Sequence, residues 1–299
     1  MASNPAASAS LVSPGVGPQL LPPDVIRIRG VDLPLDRLVA HELLDAQWQQ
    51  EMHRRLMAAR PFPHLVLENL FDPHLLALVH EDFDAPALPW RTLRTDDEFT
   101  RRSQAGSALG PAAQLYFSLV HAGWFTAALS RITGIADLVV DPLLWGGGLH
   151  ESGAGAHFAV HRDFAYHHQT GLRNEMVLIT YLNRHWEDAW GGQLELWDAT
   201  AHRCEATIAP TFGRTLLFLH GPRSFHGHPA PMTPPPGVMR RSVAAYYYTG
   251  DGVLDREQHE LSSVFYQRRW HRRLLGLARR VAPPVLWSLA RDAIRGPRR

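Results

Sequence analysis

The chain has 299 residues, 45% of them hydrophobic and 20% charged, and a formal net charge of +1. This is the composition of a globular protein, long enough for one large domain with tails, and a charge so near zero supplies no global field for gripping nucleic acid. The single cysteine, Cys204, excludes an intramolecular disulfide and any cysteine-based metal cluster, while all 30 basic residues are arginine.

Residues 1–24 are rich in Ala, Ser, Pro and Gly, show no periodicity and read as a disordered tail. No positive charge precedes Arg27, and no apolar run is long enough for a secretory signal or for the roughly 18-residue minimum of a membrane span, so a cytoplasmic location is expected. From Asp36 to about Arg60 the apolar positions Leu38, Val39, Leu43, Leu44, Trp48, Met52 and Leu56 follow helical spacing. Pro61-Phe62-Pro63 stops that helix, His64–Leu67 reads as a short strand, and Phe71-Asp72-Pro73 opens another helix. Residues 84–110 are turn-rich, and one further helix is predicted from Pro111 to Ile132.

After Leu138 the texture changes to short β-type runs separated by Gly, Pro and Asp: Leu138–Val140, Phe158–His161, Met176–Tyr181, Leu194–Trp197, Thr207–Ile208, Thr215–His220 and Ser242–Tyr248. Helices first and strands later predict a mainly β (α+β) fold, a β core buttressed by N-terminal helices. The expected division is a tail (1–24), a helical support region (25–135), a β core (136–250) and a basic C-terminal helical segment (251–299). The last part, from Tyr266, carries ten arginines, one acid (Asp292) and apolar residues parted by Pro283-Pro284.

His161-Arg162-Asp163 carries the chemistry. On an extended segment, residues two apart face the same side, so the imidazole and the carboxylate point together. A histidine from a second strand would complete two imidazoles and one carboxylate on one face of a metal, the open-sided arrangement of non-haem Fe(II) oxygenases. His220, His226 and His228 are the candidates for that third place, with His226-Gly227 first and His228 as runner-up. His157, His167 and His168 flank the first motif.

From His157 the text runs HxD, a hydrophobic strand ending in Tyr181-Leu182-Asn183 with Trp186, then Gly191-Gly192, P-x-x-G-R at 210–214, His226-Gly227, and R-x-S at 240–242 before a run of tyrosines. In this order, over residues 157–249, the chain resembles the prolyl-4-hydroxylase-like branch of the 2-oxoglutarate/Fe(II)-dependent oxygenases. The resemblance implies a double-stranded β-helix, or jelly roll, with metal ligands His161, Asp163 and His226. It also implies Fe(II), 2-oxoglutarate and O₂ as reactants, ascorbate as a candidate reductant, and hydroxylation of an unactivated C–H with release of succinate and CO₂. Asp163 favours hydroxylation, because related halogenases carry a small residue in its place.

The same resemblance assigns the far carboxylate of 2-oxoglutarate to an arginine two residues before a small one. That selects Arg240, whose planar fork suits a carboxylate. Alternation then puts Ser242, Ala244 and Tyr246 on its face and sends Arg241 outward to solvent. Tyr181 matches a position whose hydroxyl bonds the same carboxylate. Phe164, Tyr166 and His168 are candidate substrate contacts, and the substrate class stays open between peptidyl proline, an amino acid and a small metabolite. The alternative reading is a cupin-like metal-binding jelly roll with a non-oxidative or binding function. For the arginine-rich end the readings are a terminal helix pair packed on the core or a peripheral contact with a membrane or protein; no nucleic acid partner is expected.

Overall fold

The computed structural model describes residues 24–250 and 263–266. Strands β1 (Val25–Ile28) and β2 (Val31–Pro34) form a hairpin whose two-residue loop, Arg29-Gly30, has positive φ at both positions (48° and 80°), matching the twist that such tight hairpins need. The helix expected over 36–60 is interrupted: 3₁₀ turns occupy Leu35–Arg37 and His41–Leu44, and α1 spans Ala46–Ala58. Asp45 causes the restart, its carboxylate accepting from the Trp48 amide at 2.7 Å as an N-cap. Strand β3 (His64–Leu67) follows, then α2 (Pro73–Asp82), capped by Asp72 with Pro73 in the first turn.

Residues 84–110 contain a hairpin that the sequence reading left unassigned, β4 (Trp90–Arg94) and β5 (Glu98–Ser103). The long helix expected from Pro111 is two, α3 (Pro111–Val120) and α4 (Gly123–Thr133), the second closed by Gly134 in the left-handed conformation. The β core comprises β6 (Val139–Val140), β7 (Gly148–Ser152), β8 (His157–Arg162), β9 (Arg173–Tyr181), β10 (Leu194–Trp197), β11 (Cys204–Ile208), β12 (Thr215–Leu219), β13 (His226–His228) and β14 (Arg240–Thr249). A last short strand, β15 (Val264–Phe265), pairs with β8. It lies within the segment expected to be helical; the rest of that arginine-rich segment and the expected N-terminal tail fall outside the described residues.

The strands form one curled antiparallel sheet in the order β11-β10-β13-β8-β5-β7-β14-β9-β12-β3. Its non-consecutive neighbours are those of a jelly roll, the fold expected. Two apolar clusters divide the sheet's faces. Met176 and Leu178 of β9, Leu217 of β12, and Val243, Ala245 and Tyr247 of β14 pack outward on the helices, against residues such as Leu76, Phe117 and Phe125. Val177 and Tyr181 of β9, Leu216 and Phe218 of β12, and Ala244 of β14 face the concave side with Leu194 and Leu196 of β10. Each fully buried leucine on these strands contributes roughly 1.5–3 kcal/mol. The period-two alternation thereby decides which residues can reach the concavity. Among the described residues no helix is long and apolar enough to cross a membrane.

Candidate active site

Strand β8 delivers His161 near its end, and Asp163 follows where the chain leaves the sheet. Its antiparallel neighbour β13 sets His226 directly opposite His161, with ring centroids 4.5 Å apart. Gly227 makes this pairing sterically feasible: a Cβ there would lie 2.7 Å from the Phe158 carbonyl oxygen and 2.9 Å from that of Ala159. One potential ligand atom from each of His161, Asp163 and His226 lies within 4.8 Å of the others, and among the described residues this is the only such group.

Both imidazoles are oriented by backbone. His161 Nδ1 lies 2.8 Å from the Ala159 carbonyl and His226 Nδ1 lies 2.9 Å from that of Ser224. A carbonyl can only accept, so each Nδ1 donates and each Nε2 keeps its lone pair for the site, the usual arrangement behind metal-bound histidine. His161 is fully buried, and its Nε2 has no hydrogen-bond partner although Asp163 Oδ1 is 3.3 Å away. Burial by itself would raise the Asp163 carboxyl, but the facing His226, His161 and His220 outweigh it and hold the group well below the usual carboxylate range. Burial lowers His226 to about 4, so it is neutral near pH 7 and ready to ligate. Tyr246 donates its hydroxyl to Asp163 Oδ2 at 3.2 Å, and His220 Nε2 lies 3.5 Å from the same oxygen. A buried nitrogen lone pair without a partner, beside a second one and an ionised carboxylate, is a donor set suited to Fe(II).

The expected cosubstrate residues line the same cavity. Arg240 and Tyr181 are there with Ser242, Ala244 and Tyr246. Arg240 Nε donates to the Gly192 carbonyl at 2.7 Å, and its guanidinium lies 5.0 Å over the Tyr181 ring. Gly192 (φ 76°) must be glycine for this approach, since a Cβ would sit 3.1 Å from Arg240 Cδ and closer still to Met232. The Tyr181 hydroxyl is buried without a hydrogen-bond partner, and among the described residues no carboxylate pairs with Arg240. Burial lowers the Arg240 guanidinium from its ordinary value and raises the Tyr181 phenol. A cation and a hydroxyl left incomplete at one end of a cavity call for an anionic ligand. Asn183 positions them: its Oδ1 accepts the Arg241 amide at 2.7 Å and its amide donates to the Arg241 carbonyl at 3.1 Å, pinning the start of β14 to the exit of β9.

Other expectations meet different surroundings. Arg241 does face away from Arg240, but toward α2 rather than solvent: it pairs with Asp84 and with Glu151 at 3.3 Å and donates to the His80 carbonyl. The helix layer covers that face, so an outward side chain here is buried. His228, the runner-up ligand, lines the cavity but stands outside the three-residue group. Phe164, Tyr166 and His168 do not line the cavity. Past Asp163 the chain turns back to bridge Tyr166 with Arg173, Phe164 packs on Trp145 and Tyr246, and His168 stacks on Trp145 at 4.1 Å. The wall comes instead from Glu98, Thr100 and Arg102 of β5 and from His150 and Ser152 of β7. Their only local sign is polar residues at alternate positions in a segment rich in turn formers.

Residues 147–248 match the family model of the 2OG-Fe(II) oxygenase superfamily. That stretch contains all three grouped ligand candidates as well as Arg240 and Tyr181, so over these residues the chain is similar to a family whose description names both 2-oxoglutarate and Fe(II). Several solved structures are similar to the chain at low identity. A Pseudomonas putida prolyl-4-hydroxylase is 17% identical, with 67% of this chain and 99% of that one covered and a TM-score of 0.48. A Trichoplax adhaerens prolyl hydroxylase in complex with a hypoxia inducible factor peptide fragment is 16% identical over 68% and 90% of the two chains, with a TM-score of 0.49. HygX from Streptomyces hygroscopicus, with nickel, 2-oxoglutarate and hygromycin B bound, is 13% identical over 73% and 94%, with a TM-score of 0.47. Their ligands differ, a peptide fragment in one and hygromycin B in another, and at these identities none is transferred. No curated protein matches the chain.

Proposed function

We propose that the protein is an Fe(II)- and 2-oxoglutarate-dependent hydroxylase in which His161, Asp163 and His226 hold the metal and Arg240, with Tyr181, anchors the far carboxylate of 2-oxoglutarate. The observation that carries this is Arg240: a buried guanidinium with no acid partner among the described residues, in the same cavity as the His-Asp-His group. A cupin-like binding protein has no use for that cation, because leaving it uncompensated costs stability. Bound ferrous ion supplies the capacity to activate O₂. In the balanced reaction 2-oxoglutarate loses CO₂ and takes one oxygen atom to become succinate, and the other oxygen atom converts a substrate C–H to C–OH.

The protein's residues do the positioning. Ala159 and Ser224 carbonyls hold the imidazoles with Nε2 inward, Tyr246 steadies the second oxygen of Asp163, and Arg240 would hold the far carboxylate of the cosubstrate. His161→Ala and Asp163→Ala should each abolish Fe(II)-dependent conversion of 2-oxoglutarate to succinate, followed by succinate release. Wild-type turnover in either variant would refute the ligand assignment.

A further inference from the structure

Two strands from that of Arg240, the cavity holds a charged pair that the reading above assigns to neither metal nor cosubstrate. Register places Arg102 of β5 across from His150 of β7, His150 across from Ser242 of β14, and Ser242 across from Tyr181 of β9. Paired residues of antiparallel strands share a face, so all four side chains point into the cavity, and three strand spacings put Arg102 roughly 14 Å from Tyr181. Arg101 lies beside it but is committed, pairing with Glu151 at 2.8 Å and stacking on Trp90. Arg102 is not: its side chain is 28% exposed, it donates no hydrogen bond among the described residues, and its one ion contact is with Glu98 at 3.5 Å. Glu98 is 12% exposed and, among the described residues, its side chain accepts a hydrogen bond only from the Thr100 hydroxyl at 2.6 Å.

We infer that Glu98 and Arg102 bind the substrate, and that the substrate is a free α-amino acid held by both of its charges, its carboxylate on Arg102 and its ammonium on Glu98. This rests on the oxygenase reading above. The pair itself selects the class. A simple anion attracted to Arg102 is repelled by Glu98, and a simple cation the reverse, whereas a molecule bearing adjacent opposite charges satisfies both half-used groups. The interior of a peptide offers neither charge. His150 adds no competing cation, since burial, with Arg102 beside it, lowers it to about 4, and its Nε2 donates to the Gly147 carbonyl at 3.1 Å.

The test is calorimetric titration of the full-length protein, loaded with Mn(II) and 2-oxoglutarate, using each genetically encoded amino acid beside its N-acetyl and carboxamide derivatives. At least one free amino acid should bind, with both blocked forms weaker by about tenfold or more. Arg102→Gln should erase the preference over the amide, and Glu98→Gln the preference over the N-acetyl form, with 2-oxoglutarate binding reporting that each variant is folded. Binding of 2-oxoglutarate without any free amino acid, equal binding of blocked forms, or binding of a peptide in their place would overturn the substrate assignment alone. Failure of 2-oxoglutarate itself to bind would bring down the site reading and this inference with it. The comparison of blocked and free ligands needs no variant, so a misfolded mutant cannot spare the idea.

Discussion

Arg240 and Arg241 are neighbours in sequence with opposite surroundings. The strand's alternation turns Arg240 into the concavity, to the Gly192 carbonyl and the Tyr181 ring, and turns Arg241 onto the helix layer, to Asp84 and Glu151. Their removal should therefore register in different measurements. Arg240→Ala should weaken 2-oxoglutarate by about 2–4 kcal/mol, a factor of roughly 30 or more in its apparent affinity, with little change in the unfolding midpoint. Arg241→Ala should lower stability by about 1–3 kcal/mol while the 2-oxoglutarate requirement barely moves; the exposed Asp84 contributes little of this and the buried Glu151 most. Titrations of cosubstrate and of urea on both variants decide it, and the reverse pattern would mean the faces are exchanged. That Arg240 and Arg241 take opposite faces was legible from period two, and the family resemblance selected Arg240 as the inward one; that Arg241 is buried was not legible, because the sequence does not say what covers the other face.

At the scale of elements, the proposed metal site depends on how closely β13 approaches β8. The register shift between His226 and His228 puts Gly227 against the Phe158 and Ala159 carbonyls, where a methyl group meets rigid backbone. Gly227→Ala should push the strands apart, cost about 1–3 kcal/mol and separate His226 from His161. Mn(II) affinity measured by electron paramagnetic resonance should fall by about tenfold or more; an unchanged affinity would show that the strand can give. The glycine of the His-Gly pair is thus a steric requirement of the pairing. Most core strands were visible as short alternating runs, and β10 has the bounds expected of it. The β4–β5 hairpin was not, since a polar strand such as Glu98–Ser103 owes its conformation to pairing with β7 and β8, which no local pattern records. The break between α3 and α4 at His121-Ala122 escaped for a similar reason: the apolar spacing continues across it, and only packing shows that the axis changes.

Across the whole molecule, histidine burial has a collective consequence. Burial is the leading cause lowering His80, His121, His150, His220, His226 and His228 from 6.5, with His150 and His226 brought to about 4. Such groups stay neutral in the fold and take a proton on unfolding. Their contribution to stability is therefore intact above pH 6.5 and is lost as the pH falls from there toward about 4, where the folded-state sites protonate as well. Each fully neutral histidine adds about 1.4 kcal/mol per pH unit to that slope. The metal-free protein should show a urea midpoint that drops steeply between about pH 7 and pH 5, and Mn(II) should raise the midpoint without flattening the drop, because the metal keeps its ligands deprotonated in the fold while the unfolded chain still takes protons. A midpoint that stays level down to the carboxylate range would contradict the burial of these rings.

What the chain determined by itself is the set of candidate groups: an imidazole and a carboxylate two residues apart on a strand, and, through the family resemblance, a second imidazole before a glycine and an arginine two residues before a serine. Tertiary structure alone decided the company these groups keep. It brought His226 opposite His161, left Arg240 without an acid among the described residues while giving Arg241 two, and set Glu98 and Arg102 on the wall, which Phe164, Tyr166 and His168 do not line. The reason is physical: a strand's two faces follow from its own residues, but its neighbours follow from pairings between segments far apart in the chain, and a site's selectivity lies in those neighbours.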